Sequence, residues 1–244
     1  MPMITRSVSA ALLKTKMRLR SGKILDGPPV KPEKSRVNKE KMMDMYKKIN
    51  ELQELGHLEG ARTLFEELVA GYRDTLGSKH KVTLMSMSNM GNLLERMGDV
   101  RGAKLLTEES LAGFRETLGS KHRDTLTSMN NLGVLLHDLG DLESARVLYE
   151  EALASRRETL GIKHMNTLTS MNNLGVLLYD LGDLESARVL YEEAVAGRRE
   201  TLGSNHTNTL NSMKYLGKVL KKLGDFKGAR AVFNEAKRLG LMKN

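Results

Sequence analysis

Between Leu126 and Leu139 the apolar positions recur at helical spacing. With successive residues set about 100° apart, Met129, Leu132, Gly133, Leu135, Leu136 and Leu139 share one broad arc. Thr127, Asn130, Asn131, Val134, His137 and Asp138 take the opposite, mostly polar arc, so the segment predicts an amphipathic helix buried on two sides. Gly140 then supplies a stop and Asp141 an N-cap: glycine accepts the left-handed backbone that ends a helix, and a short carboxylate accepts from the free N–H groups that begin one. A second helix is predicted from Leu142 to about Leu160. The turn recurs as Gly98-Asp99, Gly182-Asp183 and Gly224-Asp225, with Gly56-His57 as its weakest copy. Asp124, Asn166 and Asn208 stand where the first helix of each unit is expected to be capped.

The unit repeats. His80, His122, His164 and His206 stand 42 residues apart, and the text around them returns with them. Residues 168–203 differ from residues 126–161 at three places, where His137 becomes Tyr179, Leu153 becomes Val195 and Ser155 becomes Gly197. Flanking copies beginning near Met42, Leu84 and Leu210 keep the frame with more substitution. The result is about five units, near 42–79, 84–121, 126–163, 168–205 and 210–240, preceded by a tail of residues 1–41. A lone helix pair cannot bury its apolar face, whereas stacked pairs bury a continuous core. The expected fold is an all-α solenoid in which the polar arcs of successive first helices merge into a concave groove.

Gly133, Ala145, Tyr149 and Ala152 stand at the spacing of the tetratricopeptide repeat (TPR) signature, with Met129 at its first-helix tryptophan position. The set returns as Gly175, Ala187, Tyr191 and Ala194, and as Gly217, Ala229, Phe233 and Ala236. With the 42-residue period, a first helix of the form TLxSMNNLG and a RRETLG ending, residues 42–240 resemble the TPR variety of kinesin light chains and nephrocystin-like proteins. Lys81, Arg123, Met165 and Thr207 stand where that pattern normally has a proline after the repeat histidine. The resemblance implies a right-handed α-solenoid of about five TPR repeats that serves as a protein-binding scaffold or adaptor, with asparagines of the first-helix face touching a peptide.

Charge changes the picture only at the N-terminus. The net charge of +9 resides almost entirely in residues 1–41, which hold 11 Lys/Arg against 3 Asp/Glu. The near-neutral remainder lacks the basic stripe that phosphate binding requires, so nucleic acid is not an expected partner. From Ile4 to Lys23 there are six basic residues and no acidic one, with Ile4, Val8, Leu12 and Leu19 roughly on one helical face. This pattern suits an organelle transit peptide; a nuclear signal around Lys14–Lys23, a membrane-surface helix, a disordered arm touching nucleic acid and a plain solvated tail are its rivals. Localisation is expected to be cytoplasmic, with mitochondrial or plastid import and then nuclear import as alternatives. No apolar run approaches the roughly 18 residues of a membrane-spanning helix.

Candidate chemistry narrows the function further. Cysteine is absent, which removes disulfides and thiolate nucleophiles. The repeat histidines cannot share a metal, since successive repeats are separated by two helix diameters, on the order of 15–20 Å. They are expected to pack or cap the inter-repeat loops. Glu150-Glu151 and Glu192-Glu193 read as solvated helix face, and Met87, Met129, Met171 and Met213 as core. No HExxH, GxxxxGK[ST], GxGxxG or nucleophile elbow occurs, so no catalytic residue, metal, cofactor or small-molecule substrate is expected. The candidate groove residues are Asn89, Asn130, Asn131, Asn172 and Asn173, whose amides offer both donor and acceptor to a peptide or merely keep the face soluble. His137 and Tyr179 are places for ligand preference to vary between otherwise matching units. Lys214, Lys218 and Lys222, with Lys221 beside them, favour an acidic ligand segment at the last unit, or solubilise the end of the stack. The expected partner is a protein or peptide segment; end-to-end self-association of the units is the alternative.

Overall fold

The structure, a computed structural model, describes residues 39–241; residues 1–38 of the basic tail, with its candidate targeting segment, lie outside the described residues, while its last three residues begin the first helix. Among the described residues there are ten helices and no strand. They are α1 (Lys39–Glu54), α2 (Leu58–Leu76), α3 (Lys81–Arg96), α4 (Val100–Leu118), α5 (Arg123–Asp138), α6 (Leu142–Leu160), α7 (Met165–Leu181), α8 (Leu184–Leu202), α9 (Thr207–Lys222) and α10 (Phe226–Leu241). Consecutive helices pair into five helix-turn-helix units, the odd-numbered helix first in each.

Within each unit the turn forms as the Gly-Asp pairs predict. Gly56, Gly98, Gly140, Gly182 and Gly224 all adopt φ between 77° and 84°, a region costly for any residue with a Cβ. The following aspartate then caps the second helix: Oδ1 of Asp99, Asp141, Asp183 and Asp225 accepts from the backbone N–H three residues on, at 2.8–3.3 Å. His57 makes no such bond, as expected of the weakest copy.

Between units the sequence reading needs correction. The first helices start three residues earlier than the recurring text suggests, and the caps are the histidines rather than Asp124, Asn166 and Asn208. His80, His122, His164 and His206 hold extended backbone, and each ring Nδ1 accepts from the N–H of the second residue after it, at 3.1–3.2 Å. Asp124, Asn166 and Asn208 supply those N–H groups. They already lie inside the helix, and it is the histidine ring that accepts at its start. Asp124 instead reaches back to Lys81 of the preceding unit at 2.7 Å. Thr83, Thr125, Thr167 and Thr209, all fully buried, complete the loop by donating to the carbonyls of Gly77, Gly119, Gly161 and Gly203 at 2.8–2.9 Å.

The helices of a pair meet through small residues. Ala145, Ala152, Ala187 and Ala194 are completely buried, and so are the four repeat methionines Met87, Met129, Met171 and Met213. A Cβ added at Gly133 would lie 2.5 Å from the Tyr149 ring, and one at Gly175 would lie 2.9 Å from Tyr191. The glycines thus let an aromatic ring of the second helix slide beneath the first. Arg156 and Arg198 staple the stack in a way their residue type does not suggest. Arg156 is only 4% exposed, yet its guanidinium donates to the Leu126 carbonyl at 3.0 Å, the Asn166 carbonyl at 3.1 Å and the Ser170 hydroxyl at 2.6 Å, tying α6 to both α5 and α7. Arg198 repeats the arrangement on Leu168, Asn208 and Ser212. Burial pushes both guanidinium pKa values down from the ordinary one.

The stack curves. First helices α3 and α5, α5 and α7, and α7 and α9 approach one another directly, whereas no two second helices among the described residues do. Long side chains span the wider gap on that outer side: Arg73 pairs with Glu109, Arg115 with Glu151 and Arg199 with Glu235 at 2.7–2.8 Å, and Arg157 pairs with Glu193. The first helices therefore line the concave side.

Two substitutions check this account. His164→Ala is expected to cost about 1 kcal/mol of unfolding free energy, while Asn166→Ala stays within about 0.5 kcal/mol; urea titrations giving equal losses would return the cap to Asn166. Gly175→Ala is expected to destabilise by about 1–3 kcal/mol through overlap with Tyr191, although helix propensity alone would make it stabilising by about 1 kcal/mol. The sign of the change in thermal melting decides between the two effects.

Candidate functional site

Successive first helices meet in a recurring register, in which a residue commonly faces the residue 43 positions on in the next first helix. Asn89 Nδ2 donates to the Tyr46 hydroxyl at 2.7 Å, and Asn173 Nδ2 donates to Asn130 Oδ1 at 3.2 Å. Nearer the C-terminal ends of the helices, Arg96 donates to Gln53 at 2.8 Å and His137 Nε2 lies 2.9 Å from Asp180 Oδ2. Lys222 stands over the Tyr179 ring, 4.0 Å from its centroid. Two rows of cross-unit pairs therefore run along the concave face, one at mid-helix and one toward the helix ends.

Eight of the ten candidate groove residues make a contact from one first helix to the next, whereas Lys214 and Lys218 do not, and Lys214 borders Phe233 and Ala236 of α10. Asn89, Asn130, Asn131, Asn172 and Asn173 are half-buried rather than projecting freely. Asn131 donates to Asn92 at 3.3 Å, and Asn172 Oδ1 accepts from Ser212 at 3.0 Å. An asparagine amide has two donor hydrogens and an acceptor oxygen with two lone pairs, so a single cross-unit bond leaves capacity for a ligand. His137 and Tyr179 occupy equivalent positions in their units and are engaged with Asp180 and Lys222. Lys214, Lys218 and Lys222 are exposed at the last unit, and Lys218 lies 4.8 Å over Tyr215. Tyr215 in turn stacks on Tyr191, with centroids 5.6 Å apart and planes at 5°. The aromatic rings thus steady a cationic end of the groove.

Sequence reasoning missed Tyr46, Asn92 and Tyr215 as members of the rows, together with the step at which Glu95 faces Asp138. A comparison at offset 43, alongside the repeat period of 42, contains the signal that pairs Tyr46 with Asn89 and Glu95 with Asp138, whereas Asn92 and Tyr215 pair at other offsets.

Two phenols lie beneath this face. Tyr149 and Tyr191 are 2% and 0% exposed, and burial drives both pKa values well above the ordinary one. The charges of Asp138 and Glu95 add to the effect on Tyr149, while Tyr215 and Asp180 add to that on Tyr191. The folded chain thus holds these phenols neutral at a pH where the unfolded chain ionises them. Their contribution to stability is complete below about pH 10 and is lost as pH rises above it. Replacing both by Phe is expected to flatten the decline in melting temperature between about pH 9 and pH 11; an unchanged decline would show that other groups cause it.

Tetratricopeptide repeat patterns match residues 106–158, 124–200 and 166–239 in one form and residues 50–80 and 83–124 in another. A Podosopora anserina putative kinesin light chain with nearly identical TPR-like repeats is 25% identical in sequence, with a TM-score of 0.74 over 84% of this chain and 97% of that one. BtubC (BKLC) from P. vanneervenii is 26% identical, with a TM-score of 0.72 over 80% of this chain and 78% of that one. MamA from Desulfovibrio magneticus RS-1, at 16% identity and a TM-score of 0.63 over 84% of this chain and 97% of that one, shares the fold alone. No curated protein matches the sequence. Among the described residues no three His, Asp or Glu side chains come together in a way that could hold a metal ion, and no helix is long and apolar enough to cross a membrane.

Proposed function

The chain belongs to the tetratricopeptide repeat family, whose fold is a general protein–protein interaction scaffold, and from this premise we propose that it holds a peptide segment of a partner protein in its concave groove. The observation that carries the reading is the row of short amides across α3, α5 and α7, each using part of its hydrogen-bonding capacity to fix its own orientation. An amide held in place loses less side-chain entropy when it bonds a peptide backbone. The Lys214, Lys218 and Lys222 cluster then draws an acidic part of the ligand to the last unit, with a salt-sensitive association rate.

End-to-end stacking of copies is the weaker reading. Lys79 and Lys121 pair with Glu116 and Glu158 of the following unit at 2.5–2.6 Å, and Lys163 pairs with Glu200. Asn205 stands at the equivalent place in the next repeat of the pattern, so this outer ladder offers no cation to a further unit.

Asn131→Ala together with Asn173→Ala is expected to weaken binding of a partner captured by the full chain roughly tenfold, as two net hydrogen bonds of about 0.5–1.5 kcal/mol each imply. The same change removes one half-buried and one exposed cross-unit bond, so a modest fall in melting temperature with unchanged helical circular dichroism accompanies it. Unaltered affinity in titration calorimetry would show that the partner does not use this face.

A further inference from the structure

The row toward the first-helix ends has four steps, and three of them hold complementary partners. Gln53 meets Arg96 at 2.8 Å, His137 meets Asp180 at 2.9 Å, and Tyr179 meets Lys222 with 4.0 Å between ammonium and ring centre. The remaining step sets Glu95 of α3 against Asp138 of α5, two carboxylates in a register that elsewhere pairs unlike groups. Neither carboxylate makes an ion pair or hydrogen bond among the described residues, although Lys and Arg pair with carboxylates elsewhere along the stack. Glu95 is half-buried, and its carboxyl pKa is raised first by that burial and then by the charge of Asp138.

A second observation comes from beneath the pair. Tyr149 is 2% exposed, its ring lies under Gly133 of α5, and its hydroxyl has no hydrogen-bond partner among the described residues. The equivalent Tyr191 hydroxyl donates to the Asn172 carbonyl at 3.4 Å. The charges that act on the Tyr149 phenol are those of Asp138 and Glu95, which places the unpartnered hydroxyl in the field of both carboxylates.

We propose that Glu95, Asp138 and the Tyr149 hydroxyl form a subsite for a basic side chain, arginine above lysine, of the peptide that the groove holds. The inference rests on the groove reading and adds the chemistry of one ligand residue to it. Two acceptor-only carboxylates facing each other across a groove demand a cation, and a guanidinium carries five donors in a planar fork that can serve both carboxylates and the phenolic oxygen at once. A divalent metal fits poorly, since calcium takes six to eight oxygen ligands and magnesium six in near-ideal octahedral geometry. The lysines of the last unit repel a basic residue at the other end of the groove, so a ligand with its basic residue at units two and three is held in one register.

The test is a selection of randomised twelve-residue peptides displayed against the full chain, run in parallel on the native protein, on Glu95→Gln with Asp138→Asn, and on Glu95→Lys with Asp138→Lys. The native pool is expected to enrich Arg or Lys about tenfold at one fixed position, the effect of one charge-assisted contact. The neutral variant loses that position while keeping the rest of the motif, and the reversed variant takes Asp or Glu there. A native motif without a basic position, or one retained on the neutral variant, overturns the subsite and leaves the groove reading intact. Failure of all three pools to converge on any motif overturns the groove reading and the subsite with it. The neutral variant is also expected to melt no lower than the native chain, because facing like charges are removed. A clear drop would make the pair a structural brace and would overturn the proposal.

Discussion

Everything in this fold depends on how one unit is locked to the next. A glycine at φ 85–95° ends each of the first four second helices, a histidine ring caps the following first helix, and a buried threonine hydroxyl closes back onto the glycine carbonyl. The clamp occurs four times with nearly the same distances, so each unit meets its neighbour in the same way. A solenoid's stability is a sum of unit and interface terms, and a constant interface lets one solution be reused along the chain. Buried Arg156 and Arg198 strengthen it where the two most similar units meet their successors. Each bonds carbonyls and a hydroxyl instead of a carboxylate, so most of the guanidinium's donors are met without burying a second ion, although Arg198 Nε has no partner.

Curvature follows from side-chain size on the two faces. Asparagine, whose amide sits close to the backbone, bridges units on the inner side, where first helices touch. Arginine, lysine and glutamate bridge them on the outer side, where second helices stand apart. Partly exposed ion pairs of this kind are worth about 0–1 kcal/mol each, so the outer ladder guides register more than it supplies stability. Stability comes from the buried leucines, methionines, alanines and rings between the layers.

The concave face carries a gradient of chemistry on this repeated frame. Acidic character sits at Glu95 and Asp138, neutral amides occupy the middle, and lysines held over aromatic rings occupy the last unit. Near-identity of the third and fourth units does not make them equivalent as binding surfaces. His137 and Tyr179 meet different partners, because what each position faces is set by the next unit along. A scaffold can thus present distinct subsites while its core positions stay nearly constant.

The sequence by itself determined the period, the number of units, the helix pairs, the Gly-Asp turns and the buried methionines. These depend on short-range spacing that recurs every 42 residues, and recurrence makes a weak local signal readable. It also put the candidate groove residues on the polar arc of the first helix, since the arc is a property of one helix. Only the tertiary structure decided which polar groups are engaged. Whether Asn131 is free depends on Asn92 of the neighbouring unit, and whether Glu95 has a counter-ion depends on Asp138 a unit away. The histidines were expected to pack or cap the loops, but their precedence over Asp124, Asn166 and Asn208 as helix caps escaped for a related reason, as did the buried arginines. Backbone angle alone separates His122 from Asp124 as the capping residue, and the charge of Arg156 predicts exposure until three helices converge on its guanidinium. Pattern along one helix reports what that helix hides, whereas the partner of each remaining polar group is fixed by the angle and offset between helices, which no single segment encodes.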